Sequence, residues 1–146
     1  MYNDLLRFIV YGDPKWDYTK LDINKDLEKA RQVQGMLAAT SPNIAPFVDR
    51  GGKLLMYHGW GDMNIPPQAT VDYFNQVQAT IGKEKTASSV KLFMVPGMGH
   101  CGGGDGPNEF DMLSALDHWR DKGQAPASIQ ASQSAEGSVI RTRPLC

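Results

Sequence analysis

Cysteine is scarce in this sequence. Cys101 and Cys146 are the two present, which permits at most one internal disulfide. A long hydrophobic run is also missing. No window approaches the roughly 18 consecutive apolar residues that a membrane-crossing helix needs. Charge of one sign is not in excess. The formal net charge is -1, and no Lys/Arg run stands out, so there is no electrostatic footprint for nucleic acid. The amino-terminal MYNDLLRFIVYGDP has no basic region followed by a long apolar core and a small-residue cleavage site, so no secretory signal is visible. Internal repeats and low-complexity tracts are absent. So is any G-x-S-x-G turn. What remains is 146 residues of ordinary globular composition, 41% hydrophobic and 21% charged, enough for one domain with a core.

Two stretches organise the chain. Val90–Val95 is a short apolar run ending at Pro96, and a glycine-dense loop carrying His100 and Cys101 follows it. Upstream, Lys53–Tyr57 is a second apolar run. It leads into HGWGDMNIPP, a turn that carries Asp62. Strand, loop with a reactive side chain, helix is how an α/β enzyme presents chemistry at the carboxyl edge of its sheet.

Elsewhere the pattern is coarser. Tyr2–Tyr11 is apolar with mixed period and fits a helix or a strand. Asn24 is a candidate cap for a helix to about Ala39, with Leu27, Ala30, Val33 and Leu37 near one face. Asn43–Arg50 reads as a short helical turn anchored by Phe47. Pro66-Pro67 suits the first turn of a helix whose buried face is Tyr73, Phe74, Val77 and Ile81, stopped by Gly82. Lys83–Ser89 reads as a polar connector. A last helix spans about Asn108 to Lys122, with Met112, Leu116 and Trp119 inward and Gly123 as the stop. Ser128–Ser134 and Val139–Arg143 read as strands joined at Glu136-Gly137. The expectation is a small sheet of two parallel strands plus a terminal hairpin, the carboxyl-terminal part of a larger α/β sheet with an exposed edge. The ending Pro144-Leu145-Cys146 reads like a cut.

The candidate chemistry is an acid and a histidine, each just past a strand. His100 among glycines is either a surface residue bonding a carbonyl or a general base to a nucleophilic hydroxyl. Asp62 is either an Asx-turn or helix cap or the carboxylate that orients the imidazole. The segment between them holds one helix and one strand, which brings both to the same sheet edge. The nucleophile is the gap. A serine ahead of the acid is expected, and only Ser41 lies there, before Pro42, where a helix terminus is its natural role.

Other features carry less. Gly97–Gly102 matches the dinucleotide pattern G-x-G-x-x-G, but Gly103–Pro107 delays the helix whose amino end should meet a pyrophosphate. Cys101 beside His100 lacks further ligands for zinc; a disulfide-forming or buried role suits it better than a catalytic one. His58 and His118 read as packing or surface residues. Trp60 and Ile65, in the turn with Asp62, are candidates for the substrate pocket, with core packing an equal reading for Trp60.

At these residues the sequence resembles the tannase/feruloyl esterase family of α/β-hydrolases. The matching stretches are RGGKLLMYHGWGDMNIPP, the helix around DYFNQV, LFMVPGMGHCGGGDGPNEFD and LDHWRDKGQAP; GDPKWDYTKLDINKD and VIRTRPLC also match. The resemblance implies serine-type hydrolysis of aromatic acyl esters such as ferulate or gallate. It makes Asp62 the triad acid and His100 the base. It gives Cys101 the position of a cysteine that bonds to one just before the family's nucleophilic serine. The serine segment and its cysteine have no match here, nor does the lid domain where the family's calcium is usually found. Residues 1–146 are therefore expected to be a partial α/β-hydrolase catalytic domain without lid or nucleophile segment, using no cofactor and holding no metal. The expected partner is a small aromatic ester, with a homodimer or complementing chain at the exposed edge, and neither nucleic acid nor membrane. The resemblance implies a secreted or periplasmic location. The alternative is a non-catalytic module that binds a partner or aromatic ligand through that edge.

Overall fold

A computed structural model describes residues 2–146. The chain divides into two compact units, residues 1–40 and 41–146.

The first unit is helical. Tyr2–Asp4 forms a short α1, and Leu5–Val10 continues as a π-helix, so the mixed-period opening segment is helical. The Tyr11 amide closes it on the Leu6 carbonyl at 2.9 Å, the five-residue spacing of that helix type. Helix α2 spans Ile23–Leu37. Its cap is Asp22, whose carboxylate takes the amides of Asn24 and Lys25; Asn24, the expected cap, already lies inside the helix. Asp26 is buried, whereas Leu27 and Leu37 of the expected apolar face are each half-exposed.

The second unit carries the sheets. After α3 (Ala45–Val48) the chain enters β1 (Leu54–Gly59), α4 (Pro67–Ile81), α5 (Lys83–Ser89) and β2 (Val90–Val95). Val48, not Phe47, is the buried anchor of α3. Strands β1 and β2 are parallel, with Leu54 opposite Val90 and Gly59 opposite Val95. Helix α4 begins at the proline pair and buries Val77 completely. Lys83–Ser89 is helix rather than connector. Its lysines, glutamate and alanine are adequate helix formers, and Thr86 is buried with its hydroxyl on the Gly82 carbonyl.

Helix α6 (Met112–Lys122) starts later than the sequence suggests. The amides of Asn108 and Glu109 are both taken by the Ser132 carbonyl, so this stretch lies against a strand. Asp111 then caps the helix through the Ser114 amide, and Gly123 ends it at φ 71°. Strands β3 (Ile129–Ala135) and β4 (Ser138–Leu145) form an antiparallel hairpin. Glu136 and Gly137, both with positive φ, make its two-residue turn, as twisted hairpins require. The hairpin does not extend the parallel pair: the described residues form two separate two-stranded sheets. They share a core instead. Phe93, Val95 and Met98 from β2 and its loop pack with Ile129, Ala131 and Leu145 from the hairpin. Burying the larger of these side chains is worth about 1.5–3 kcal/mol each. Together they pack the carboxyl end of β2 against the hairpin.

This is an α/β arrangement, with β1 and β2 aligned so that their carboxyl ends share one edge. The chain past each end carries one of the two sequence-predicted groups.

Candidate active site

Backbone bonds tie the two edge loops together. Beyond β1, the Trp60 amide bonds the Val95 carbonyl and the Gly61 amide bonds the Met98 carbonyl, each at 2.9 Å. This close approach depends on Gly59. A Cβ there would meet the Met98 carbonyl oxygen at 2.3 Å, nearer than atoms can pack. In the second loop, Gly104 (φ 93°) passes so close to the Gly97 carbonyl that a side chain would collide with it. The glycines of PGMGHCGGG thus serve a compact loop seated on the buried Met98, from which His100 projects.

Asp62 lies in the turn after β1 with only 4% of its side chain exposed. Its Oδ1 accepts the amides of Asn64 (2.8 Å) and Ile65 (3.0 Å). The carboxylate organises its own turn with this oxygen and keeps the other for side-chain partners. Its Oδ2 accepts from His100 Nδ1 at 2.8 Å and from His58 Nε2 at 3.0 Å. Burial pushes the carboxyl toward its neutral form. The amide of Ile65, the ring of His100, the amide of Asn64 and the ring of His58 outweigh burial, and hold Asp62 well below the usual carboxylate range. It is ionised at neutral pH.

His100 is 46% exposed. Its Nδ1 faces Asp62, and among the described residues its Nε2 has no hydrogen-bond partner. The open Nε2 looks onto a cleft of about 230 Å³ bordered by Tyr57, Ile65, Met98 and Cys101. Such a histidine, held by a carboxylate at one nitrogen and free at the other, can take a proton from a hydroxyl placed in the cleft and return it to a leaving group.

The structure thus brings Asp62, His100 and Ile65 to one place. Trp60 lies outside the cleft lining and is half-exposed. Cys101 is neither buried nor bonded. Both cysteines are free and exposed; Cys101 borders the cleft, whereas Cys146 follows β4 and borders a different hollow with Phe74 and Phe93. His58, read from sequence as packing or surface, is a direct partner of Asp62. Tyr57, stacked edge-on against Phe110 at 5.2 Å, was not anticipated as a cleft wall either. Its position beside His58, near the carboxyl end of β1, was the available signal. No serine borders the cleft among the described residues, and none of their His, Cys, Asp and Glu side chains group as a metal site.

Parallel strands whose edge loops join an acid to a histidine with one open nitrogen define the α/β-hydrolase class. The family model for tannase and feruloyl esterase matches residues 7–146, and the chain belongs to that family. It is 43% identical over 111 residues to mono(2-hydroxyethyl) terephthalate hydrolase of Piscinibacter sakaiensis, covering 74% of this chain and 18% of that protein. It is 31% identical to the probable feruloyl esterase B-2 of Aspergillus terreus, covering 92% of this chain and 28% of that one. The crystal structure of an esterase from Aspergillus oryzae superposes with a TM-score of 0.83 at 30% identity, covering 99% of this chain and 32% of its own. The chain therefore spans less than a third of the length of each of these relatives.

Proposed function

We infer that this chain supplies the acid–base half of a serine-type carboxylic ester hydrolase acting on aromatic acyl esters. One observation carries the reading: His100 bonds Asp62 through Nδ1 and leaves Nε2 open to an apolar cleft. Relatives named as feruloyl esterase and terephthalate-ester hydrolase support the substrate class. Tyr57, Ile65 and Met98 give the cleft an apolar lining that suits an aromatic acid.

In this reading His100 Nε2 takes the proton of a serine hydroxyl as its oxygen attacks the ester carbonyl. Asp62 accepts the Nδ1–H and stabilises the imidazolium that forms. Backbone N–H groups near the serine hold the oxyanion. The imidazolium then protonates the departing alcohol. Water, deprotonated by the same nitrogen, releases the acid and restores the serine. The serine is not among these residues, so residues 1–146 act as part of a catalytic domain, and the chain alone turns over little ester. The chemistry calls for no cofactor. A secreted or periplasmic location and a complementing chain at the open sheet edge belong to the same reading.

The test is hydrolysis of methyl ferulate and methyl gallate by the chain, by its His100→Ala variant, and by a chimera in which this chain replaces the matching third of the Aspergillus oryzae esterase. The expected result is turnover by the chimera, and none by the chain above its own variant. A folded chimera inert toward both esters contradicts the reading. Turnover by the isolated chain that His100→Ala abolishes would place the nucleophile inside these residues and overturn the incomplete-triad part alone.

A further inference from the structure

The second imidazole on Asp62 has no part in the relay as described, yet it is the more deeply held of the two. His58, the penultimate residue of β1, is 13% exposed, against 46% for His100. Its Nε2 lies 3.0 Å from Asp62 Oδ2, and its Nδ1 lies 2.6 Å from Thr70 Oγ1 in the first turns of α4. Asp62 Oδ2 is therefore shared by two histidines, while Oδ1 is filled by two backbone amides.

An ionised carboxylate only accepts. Each ring nitrogen facing it must therefore carry its hydrogen. His100 has a hydrogen on Nδ1 and His58 one on Nε2, so the two rings meet Asp62 through opposite nitrogens. With Nε2–H committed to Asp62, the Nδ1 of a neutral His58 is an acceptor, and the Thr70 hydroxyl is the donor that fills it. A cationic His58 would compete with the imidazolium of His100 for the same oxygen. The Thr70 hydroxyl, which can donate, supplies the partner that a neutral ring needs at Nδ1.

We propose that His58, fixed by Thr70, is a positioning residue that orients the Asp62 carboxylate toward His100. Two amides alone hold Oδ1 but leave the carboxylate plane free to rock about it. The Nε2–H of His58, mounted on the strand, fixes where Oδ2 sits. The four donors also exclude water from a carboxylate that must support a half-exposed ring. Thr70, His58, Asp62 and His100 thus form one chain of hydrogen bonds, anchored at the helix and open at the cleft. The inference rests on His100 as the base, but its test needs no substrate, so failure to hydrolyse an ester leaves it standing or falling on its own.

The experiment is 1H–15N spectroscopy of the histidine-labelled chain at neutral pH, with ring signals assigned by single His→Gln replacements. The expected spectrum shows His58 as the Nε2–H tautomer and His100 as the Nδ1–H tautomer. His58→Gln keeps a donor beside Asp62; His58→Leu fills the space without one. The His100 Nδ1–H should exchange with water as in the parent in His58→Gln. It should exchange about tenfold faster in His58→Leu, the scale of one lost charge-assisted hydrogen bond. A packing role predicts the reverse ranking, with leucine the better substitute. Thr70→Val is isosteric and covers the case in which His58→Leu fails to fold: the His58 Nε2–H signal should broaden in Thr70→Val and stay sharp in Thr70→Ser. The proposal is overturned by an Nδ1–H or cationic His58 in the parent, by unchanged His100 exchange in folded His58→Leu, or by an unchanged His58 signal in Thr70→Val.

Discussion

The chain buries two aspartates that each meet a ring, and they differ in what lies beyond the ring. Asp26, in the first unit, accepts the Tyr11 hydroxyl and the Asp22 amide. Tyr11 is itself stacked on Trp16 at 5.4 Å and lies under the Lys29 ammonium at 4.0 Å. These contacts tie the segment from Tyr11 to Trp16 onto α2. Asp62, in the second unit, accepts from two imidazoles and two amides. One of those imidazoles ends in an open nitrogen at a cleft. Both carboxylates are held below the usual range, so a depressed pKa does not distinguish structure from chemistry. The unspent atom at the far end of the network does.

The contrast breaks most sharply at the carboxylates. Asp62→Asn in the hydrolytic chimera should lower kcat by about 10⁴-fold, because an amide no longer enforces the Nδ1–H tautomer of the base. Asp26→Asn should leave kcat unchanged and lower the melting temperature. Paired kinetics and thermal melts check both.

The pH dependence of stability sharpens the comparison. The Tyr11 hydroxyl bond is the main reason Asp26 is lowered, and the Asp26 bond the main reason Tyr11 is raised. A lowered carboxyl stabilises the fold above its unfolded value of about 3.9 and loses that contribution as pH falls through its folded one. A raised phenol stabilises below about 10 and loses its contribution as pH climbs past its folded value. Both aspartates therefore predict an acid limb, which Asp26→Asn and Asp62→Asn should each reduce. The Asp26 cluster alone adds an alkaline limb. Melts across pH should show that limb vanish in Tyr11→Phe and persist in Asp62→Asn. The smallest effect is local: Asp22→Ala removes the cap of α2 and should cost about 1 kcal/mol, read in a denaturant melt of far-ultraviolet ellipticity.

Much of this was legible in the residues. β1, β2, α4 and the hairpin follow from short apolar runs, a proline pair and a two-residue turn. Asp62 and His100 follow from where each lies past a strand. α5 was hidden because Lys83–Ser89 carries no apolar period, and only the burial of Thr86 and Ser89 shows that it packs. The start of α6 was hidden because Asn108 and Glu109 bond a strand distant in sequence. His58 was misread for a similar reason. Its pairing depends on the chain folding back within four residues to bring Asp62 under it, and on a threonine from the next helix. No sequence periodicity records either. The two sheets were merged in the sequence reading because strands reveal their apolar faces but not their edge partners.

The central claim is that His100, held by Asp62, moves the proton. The most direct measurement is steady-state hydrolysis of methyl ferulate by the chimera with and without His100→Ala. The account predicts that kcat falls by at least about 10³-fold, with KM little changed, since the imidazole works in the transition state rather than in substrate binding. A variant that keeps kcat within a few-fold of the parent would contradict it, and would leave the Asp62–His100 pair as architecture.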